Sequence, residues 1–278
     1  AWARAEKGCS IASPPAAAVL RFLDRTGKGV RTSPRDALRA DSSEKKKLGR
    51  SFGYSRSMDT LGSVFGMLAA AGTVIASGSA AAVALTRPLY QKLILMVSIP
   101  ALLTLPLIAF FVRENAPQGS DRRTLNLSLS GFDWRFRTFL AIMVVFTLGN
   151  SSDAFLMLKA QKAGLDIVQI FLMLAMWKGV TSVLSIPAGI LSDRIGRSRV
   201  IRAGWLVYAL VYLGFGLATQ TWQVWGLYAL YGVYYAMTDG VASALIADLV
   251  PQSEKRGTAF GLYNAAVGVS ALPASLIA

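Results

Sequence analysis

Between Arg202 and Asp239 lie 36 consecutive residues with no charged side chain. The hydrocarbon core of a bilayer, about 30 Å thick, is crossed by roughly 20 apolar residues of helix. The run is therefore long enough for two crossings. Shorter charge-free stretches, Leu61 to Leu85, Leu93 to Val112 and Gly257 to Ala278, are each long enough for one. In lipid every backbone N–H and C=O must find its partner inside the segment, so these runs are expected to be helices. The period-two alternation of a barrel strand is absent.

Six spans follow from this pattern, at about 58–85, 93–112, 138–158, 167–191, 200–218 and 222–247, with a seventh beginning near Gly257. Thr86-Arg87-Pro88, Thr219-Gln220-Thr221 and Pro251-Gln252-Ser253 supply turn chemistry at the breaks. The polar stretch 113–137, with Pro117, Gly119, Asp121, Arg122 and Arg123, divides the helices into two groups. The expected organisation is an unplaced segment at 1–14, a first helix group at 15–112, a linker at 113–137 and a second group at 138–278.

The net charge of +14 first suggests a nucleic-acid partner, but its distribution gives another explanation. Threading the chain through a membrane with these spans puts 24 of the 29 Lys and Arg residues on one side. Four fall on the other side, and Lys178 lies inside a span. That bias is the positive-inside pattern, so the basic loops are expected to be cytoplasmic in a multi-pass plasma-membrane protein. No nucleic acid is then needed to account for the charge. Histidine is absent and Cys9 is the single cysteine, which leaves no Cys/His set for a metal and no internal disulfide. No cofactor is expected, and the sequence has no G-x-S-x-G and no paired acids at catalytic spacing. A membrane-embedded enzyme is the least favoured of the functional classes.

A repeat is present. Ala37-Leu38-Arg39-Ala40-Asp41 matches Ala244-Leu245-Ile246-Ala247-Asp248 at four of five positions with an offset of 207. Gly49-Arg50-Ser51-Phe52-Gly53 matches Gly257-Thr258-Ala259-Phe260-Gly261 at Gly, Phe and Gly with an offset of 208. Parallel repeats of this kind mark the two halves of secondary transporters. The offset implies an all-α bundle truncated at both ends, with about seven or eight of twelve helices. It also pairs the span 222–247 with 15–40, where Arg21, Arg25, Lys28, Arg31 and Arg35 fall on one helical face.

The most specific motif is Pro187-Ala188-Gly189-Ile190-Leu191-Ser192-Asp193-Arg194-Ile195-Gly196-Arg197. It closes one span and opens the next through a very short turn, for which Gly196 supplies the backbone freedom. Read on chemistry alone it could be a plain basic turn. It also resembles the signature loop G-x-L-[SA]-D-R-x-G-R-[RK] of the major facilitator superfamily. One small departure is Ser198-Arg199, where that family usually has a basic residue first. The stretches 21–38 and 49–66 resemble a bacterial and archaeal branch of the same superfamily, and the likeness covers most of residues 20–278. What the resemblance implies is a helix bundle with alternating access, in which Gly189, Asp193, Arg194, Gly196 and Arg197 form a latch on the cytoplasmic gate.

Charges inside a span are costly, about 2.5–3.5 kcal/mol each on insertion scales, so they mark pathways or interior pairs. Asp153 beside Asn150, Lys178 and Asp239 are expected to face the bundle interior, with Arg25 opposite the two acids. Together they form a candidate substrate and proton pathway; a polar network that only joins helices is the alternative. Small residues at Gly62, Gly66, Gly257 and Gly261 are expected to mediate close helix packing. The function expected is secondary active transport of a small solute by a monomer in the lipid bilayer, coupled to a proton, in the direction of efflux or uptake. A truncated, non-transporting remnant is the competing reading.

Overall fold

The computed structural model describes residues 31–78, 86–111, 129–149 and 153–277. Arg25, Asn150, the basic face at 21–28 and most of the linker lie outside these residues, as does the side chain of Asp153. Among the described residues there is no strand. Residues 31–41 are helical (α1), followed by α2 (Leu48–Ala76), α3 (Arg87–Phe111), α4 (Trp134–Leu148) and α5 (Asp153–Lys162). The remaining helices are α6 (Ile167–Ile195), α7 (Arg197–Leu217), α8 (Thr221–Leu249) and α9 (Ser253–Ile277).

Local chemistry fixes several of these boundaries. Asp166 and Gln169 form a reciprocal capping box at the start of α6, with Asp166 Oδ1 accepting from the Gln169 amide at 2.8 Å. Gln223 accepts from the amides of Thr219 and Gln220 at the start of α8. Asp133 caps α4. A single residue, Gly196, separates α6 from α7; its φ of +100° is a conformation that side chains with a Cβ rarely adopt.

Several boundaries differ from those read in the sequence: α2 ends at Ala76 rather than near 85, α3 begins at Arg87 rather than 93, and α4 begins at Trp134, inside the stretch read as the linker. Helix α2 begins about ten residues earlier than the span at 58–85, because its first turns, although charged, are held by packing. Over the span at 138–158 the described helices are α4, which ends at Leu148 with Gly149 as its C-cap, and α5, which begins at Asp153.

The centre of the molecule is α2 lying antiparallel along α6, with α8 packed against both. At one end Gly49 meets Gly189; at the other Ala71 and Val74 cluster with Ile167 and Val168. The first of these is called the basic end below, since the Arg-rich turn 194–202 and Lys45–Lys47 lie there. Close approach follows a stripe of small residues at spacings of four, four and three on α2: Gly49, Gly53, Ser57 and Thr60. Against it α6 sets Ser192, Gly189, Ser185 and Ser182. Ser182 Oγ donates to the Ser57 carbonyl at 2.8 Å, and the two hydroxyls are 3.2 Å apart.

Among the described residues the helices do not meet at Gly62, Gly66, Gly257 or Gly261, where close packing was expected. A Cβ added at Gly62, Gly66 or Gly257 has nothing among the described residues within 4 Å, and at Gly261 only the Ser33 hydroxyl lies at that limit. Gly62 and Gly66 are roughly half a helical turn around from the Gly49 stripe, at 100° per residue, and so face away from α6.

The outward faces are apolar. On α7, Leu206, Leu210, Leu213 and Leu217 form an exposed stripe. In water such a stripe is an aggregation hazard, whereas hydrocarbon matches it. Among the described residues three helices are long and apolar enough to cross a membrane by length and composition, Lys45–Ala76, Ile167–Ile195 and Arg197–Leu217. Helix α8 has the length, but its tyrosines and Asp239 lower its hydropathy; these side chains turn inward.

Candidate functional site

At the basic end the Asp193 carboxylate accepts from the backbone amides of Gly49 and Arg50, each at 2.9 Å. These are the orphan donors of the first turn of α2, where the helix dipole favours negative charge. The carboxylate can come this close only because the backbones touch. A Cβ on Gly49 would fall 2.7 Å from Asp193 Oδ1, and one on Gly189 the same distance from the Gly49 carbonyl carbon. Arg197, buried, holds the clasp from behind. It reaches Asp193 at 3.4 Å and Asp248 at 2.9 Å, and donates to the Ala244 carbonyl. Desolvation by the neighbouring protein pushes the Asp248 carboxyl above its ordinary value, and Arg197 opposes the shift. Arg194 is exposed.

A second clasp joins α1 to α9. Asp41, the repeat mate of Asp248, pairs with Arg256 and accepts from Ser253 Oγ at 2.6 Å. Further along, Asn264 donates to Ser33 Oγ at 3.1 Å. The repeat thus appears in the chemistry as well as the sequence, because each of the two matching aspartates binds an arginine at the basic end.

Two turns deeper, Arg56 on α2 pairs with Asp239 on α8. The backbones converge just below this pair, where a Cβ on Gly240 would come within 3.3 Å of the Phe52 carbonyl. Beside it Arg35 pairs with Asp59 at 3.3 Å, and Arg39 with Asp36 at 3.1 Å. One turn above Asp239 on α8 is Tyr235. The Lys178 ammonium sits 3.8 Å from the Trp177 ring centroid and 5.5 Å from that of Tyr235. Tyr208, Tyr228, Tyr231 and Tyr234 continue this aromatic wall.

The structure therefore brings Gly189, Asp193, Gly196 and Arg197 into one assembly, sets Asp239 against Arg56, and sets Lys178 against Trp177 and Tyr235. Arg56 was missed in the sequence because it stands among the basic residues that precede the apolar run. The small-residue spacing from Gly49 through Ser57 was the available signal that the helix, and Arg56 with it, already belonged to the bundle. Gly49 and Gly53 were missed as packing positions for the same reason, whereas Ser182 and Ser185 lie inside the span read at 167–191 and were not separated from its other small residues. Among the described residues no group of His, Cys, Asp or Glu could hold a metal ion.

Comparison with known proteins agrees with this geometry. The sequence profile of the Major Facilitator Superfamily matches residues 8–275. The chain belongs to that superfamily, and it is a multi-pass membrane protein rather than an enzyme. It is 34% identical over 269 residues to the uncharacterized MFS-type transporter MJ1317 of Methanocaldococcus jannaschii. The alignment covers 94% of this chain and 64% of the relative, so the chain spans just under two thirds of the relative's length. No solved structure matches.

Proposed function

We propose that the full-length protein is a secondary transporter that moves a small solute across the plasma membrane by alternating access. In this reading 15–112 and 138–278 are the two bundles that rock against each other, 113–137 is their linker, and the basic end faces the cytoplasm. The protein works as a monomer. Support comes first from the Asp193 clasp. A carboxylate carried by the second bundle caps the first helix turn of α2 in the first bundle, through two hydrogen bonds that can break and re-form as units. Such a cap contributes about 0.5–2 kcal/mol. That is strong enough to favour a state sealed at the basic end and weak enough to be reversed by solute binding.

Coupling to a proton is assigned to Asp239 and Asp153. Asp239 lies within a span and depends on Arg56 for its counter-charge, so any motion separating α2 from α8 changes its surroundings.

The test is solute flux driven by a pH gradient in proteoliposomes of the full-length protein, in both gradient directions, which also reads uptake against efflux. Asp193→Asn is expected to lower turnover about tenfold, the equivalent of 1.4 kcal/mol, with normal insertion. Unchanged kinetics removes the clasp from the mechanism. A normal gradient dependence in both Asp239→Asn and Asp153→Asn removes the proton assignment.

A further inference from the structure

Arg56 has two aspartates to choose from, and they lie on different helices. Across the boundary between the two helix groups it pairs with Asp239 of α8. On its own helix Asp59 stands three residues further on, where side chains are neighbours with Cβ atoms about 5–6 Å apart. The Asp59 charge acts on the guanidinium in the same sense as that of Asp239. Arg56 Nε is buried with no hydrogen-bond partner among the described residues, so the guanidinium keeps a donor in reserve. Asp59 is held in turn by Arg35 of α1 at 3.3 Å. Arg35 also lies 3.5 Å from Asp36, which holds Arg39 at 3.1 Å. The side chain of Asp59 is 43% exposed and that of Asp36 10%, so Asp59 is the acid with room to change partners. Tyr235 of α8 and Tyr263 of α9 border this chain of charges as phenols.

We infer that Asp59 is the second seat of Arg56: as α8 leaves α2, Arg56 turns from Asp239 to Asp59, and Asp59 releases Arg35 to Asp36. This rests on the transporter reading and names a positioning residue within it. Parting Arg56 from Asp239 with no substitute would strand a guanidinium and a carboxylate inside the bundle, where isolated charges are most costly. Because the three arginines and three aspartates form a chain, each of Arg56 and Arg35 moves one acid along and stays paired. The acid left over is Asp239. A carboxylate can become neutral by taking a proton, which a guanidinium cannot do by losing one. Asp59 itself touches no solute; it acts through Arg56, by lowering the cost of opening the basic end. Arg35 competes with Arg56 for Asp59 and so favours the sealed state. The two members of one ion pair therefore act with opposite sign, which a pair that only joined α1 to α2 would not do.

The experiment reads opening without solute or flux. It uses the full-length protein in nanodiscs, in a Cys9→Ser background. Ser185→Cys places a thiol beneath α2 at a position 1% exposed in the sealed state. Its rate of reaction with N-ethylmaleimide measures how often α2 lifts. Asp59→Asn is expected to slow that rate at least about fivefold, the low end of a coupling between sites. Asp59→Glu, which keeps the carboxylate, should restore it. Arg35→Gln should raise the rate instead, because Asp59 is then free to take Arg56. In an Arg56→Gln/Asp239→Asn background nothing remains to be exchanged, and Asp59→Asn should have no effect. The proposal is overturned by an unchanged rate in Asp59→Asn, by changes of the same sign in Asp59→Asn and Arg35→Gln, or by an effect of Asp59→Asn that persists in the neutral background. If Asp59→Asn does not insert, Arg35→Gln decides alone: a slower or unchanged rate overturns the proposal. The expected labelling pattern with no proton-driven flux in proteoliposomes would overturn the transporter reading and leave the exchange standing. Proton-driven flux with labelling indifferent to Asp59 would do the reverse.

Discussion

The rings of Phe52 and Phe260, which hold equivalent places in the sequence repeat, meet at 6.0 Å between centroids with their planes 37° apart. Both are buried, and they belong to the cluster that seals the basic end together with Phe132, Phe136, Val241 and Ile246. The repeat therefore brings equivalent residues of the two helix groups into contact at one place. Residues flanking that place, Asp193 on one side and Asp41 on the other, carry the polar clasps. A hydrophobic plug held between two charged fastenings can be released by weakening either fastening.

The backbone contact between Gly49 and Gly189 leaves no room for a methyl group. Gly189→Ala is expected to destabilise the detergent-solubilised protein by about 1–3 kcal/mol, the usual result of overpacking. Gly62→Ala and Gly66→Ala, whose added Cβ meets nothing among the described residues, should stay within about 0.5 kcal/mol. Thermal unfolding of the three variants side by side checks this. Equal losses at all three positions would place the helix contact elsewhere.

Ser57 and Ser182 are positioned for a reversible cross-link. In a Cys9→Ser background, Ser57→Cys/Ser182→Cys should form a disulfide under mild oxidation, because the hydroxyls it replaces are 3.2 Å apart. Flux should stop on oxidation and return with reductant, since the bond would hold α2 on α6 in the sealed state. Full flux through the oxidised protein would mean that these helices need not separate.

Orientation is read by labelling. A cysteine at Ser198, exposed in the turn that follows Gly196, should react only with reagents that reach the cytoplasm. One at Lys162, exposed at the opposite end, should react with impermeant reagents in intact cells. The reverse pattern would invert the topology drawn from the Lys and Arg distribution.

The sequence made the helices legible because a bilayer demands long uncharged runs, and it made the Gly189–Arg197 turn legible because its spacing is strict. The small-residue stripe from Gly49 to Thr60 was less visible. It begins among basic residues, where composition points to a solvated surface, so the start of α2 and the pairing of Arg56 with Asp239 were hidden together. The end of α4 at Leu148 was hidden because hydropathy averages over a window, while helix continuity depends on each residue in turn. Which arginine meets which aspartate is a matter of tertiary register. The repeat pointed to Asp41 and Asp248 as equivalents but could not name Arg256 and Arg197 as their partners.

Gly196 joins α6 to α7 with no slack. A loop of several residues would let each helix tilt alone, whereas a joint of one residue passes the tilt of one directly to the other. Helix α6 has 29 residues and, at 1.5 Å rise per residue, is about 43 Å long. A tilt of about ten degrees around its basic end moves the opposite end by roughly 7 Å, the girth of a small solute. The motif is in that sense a fulcrum as much as a fastening: the turn that grips α2 is also the point about which a long rigid arm would swing.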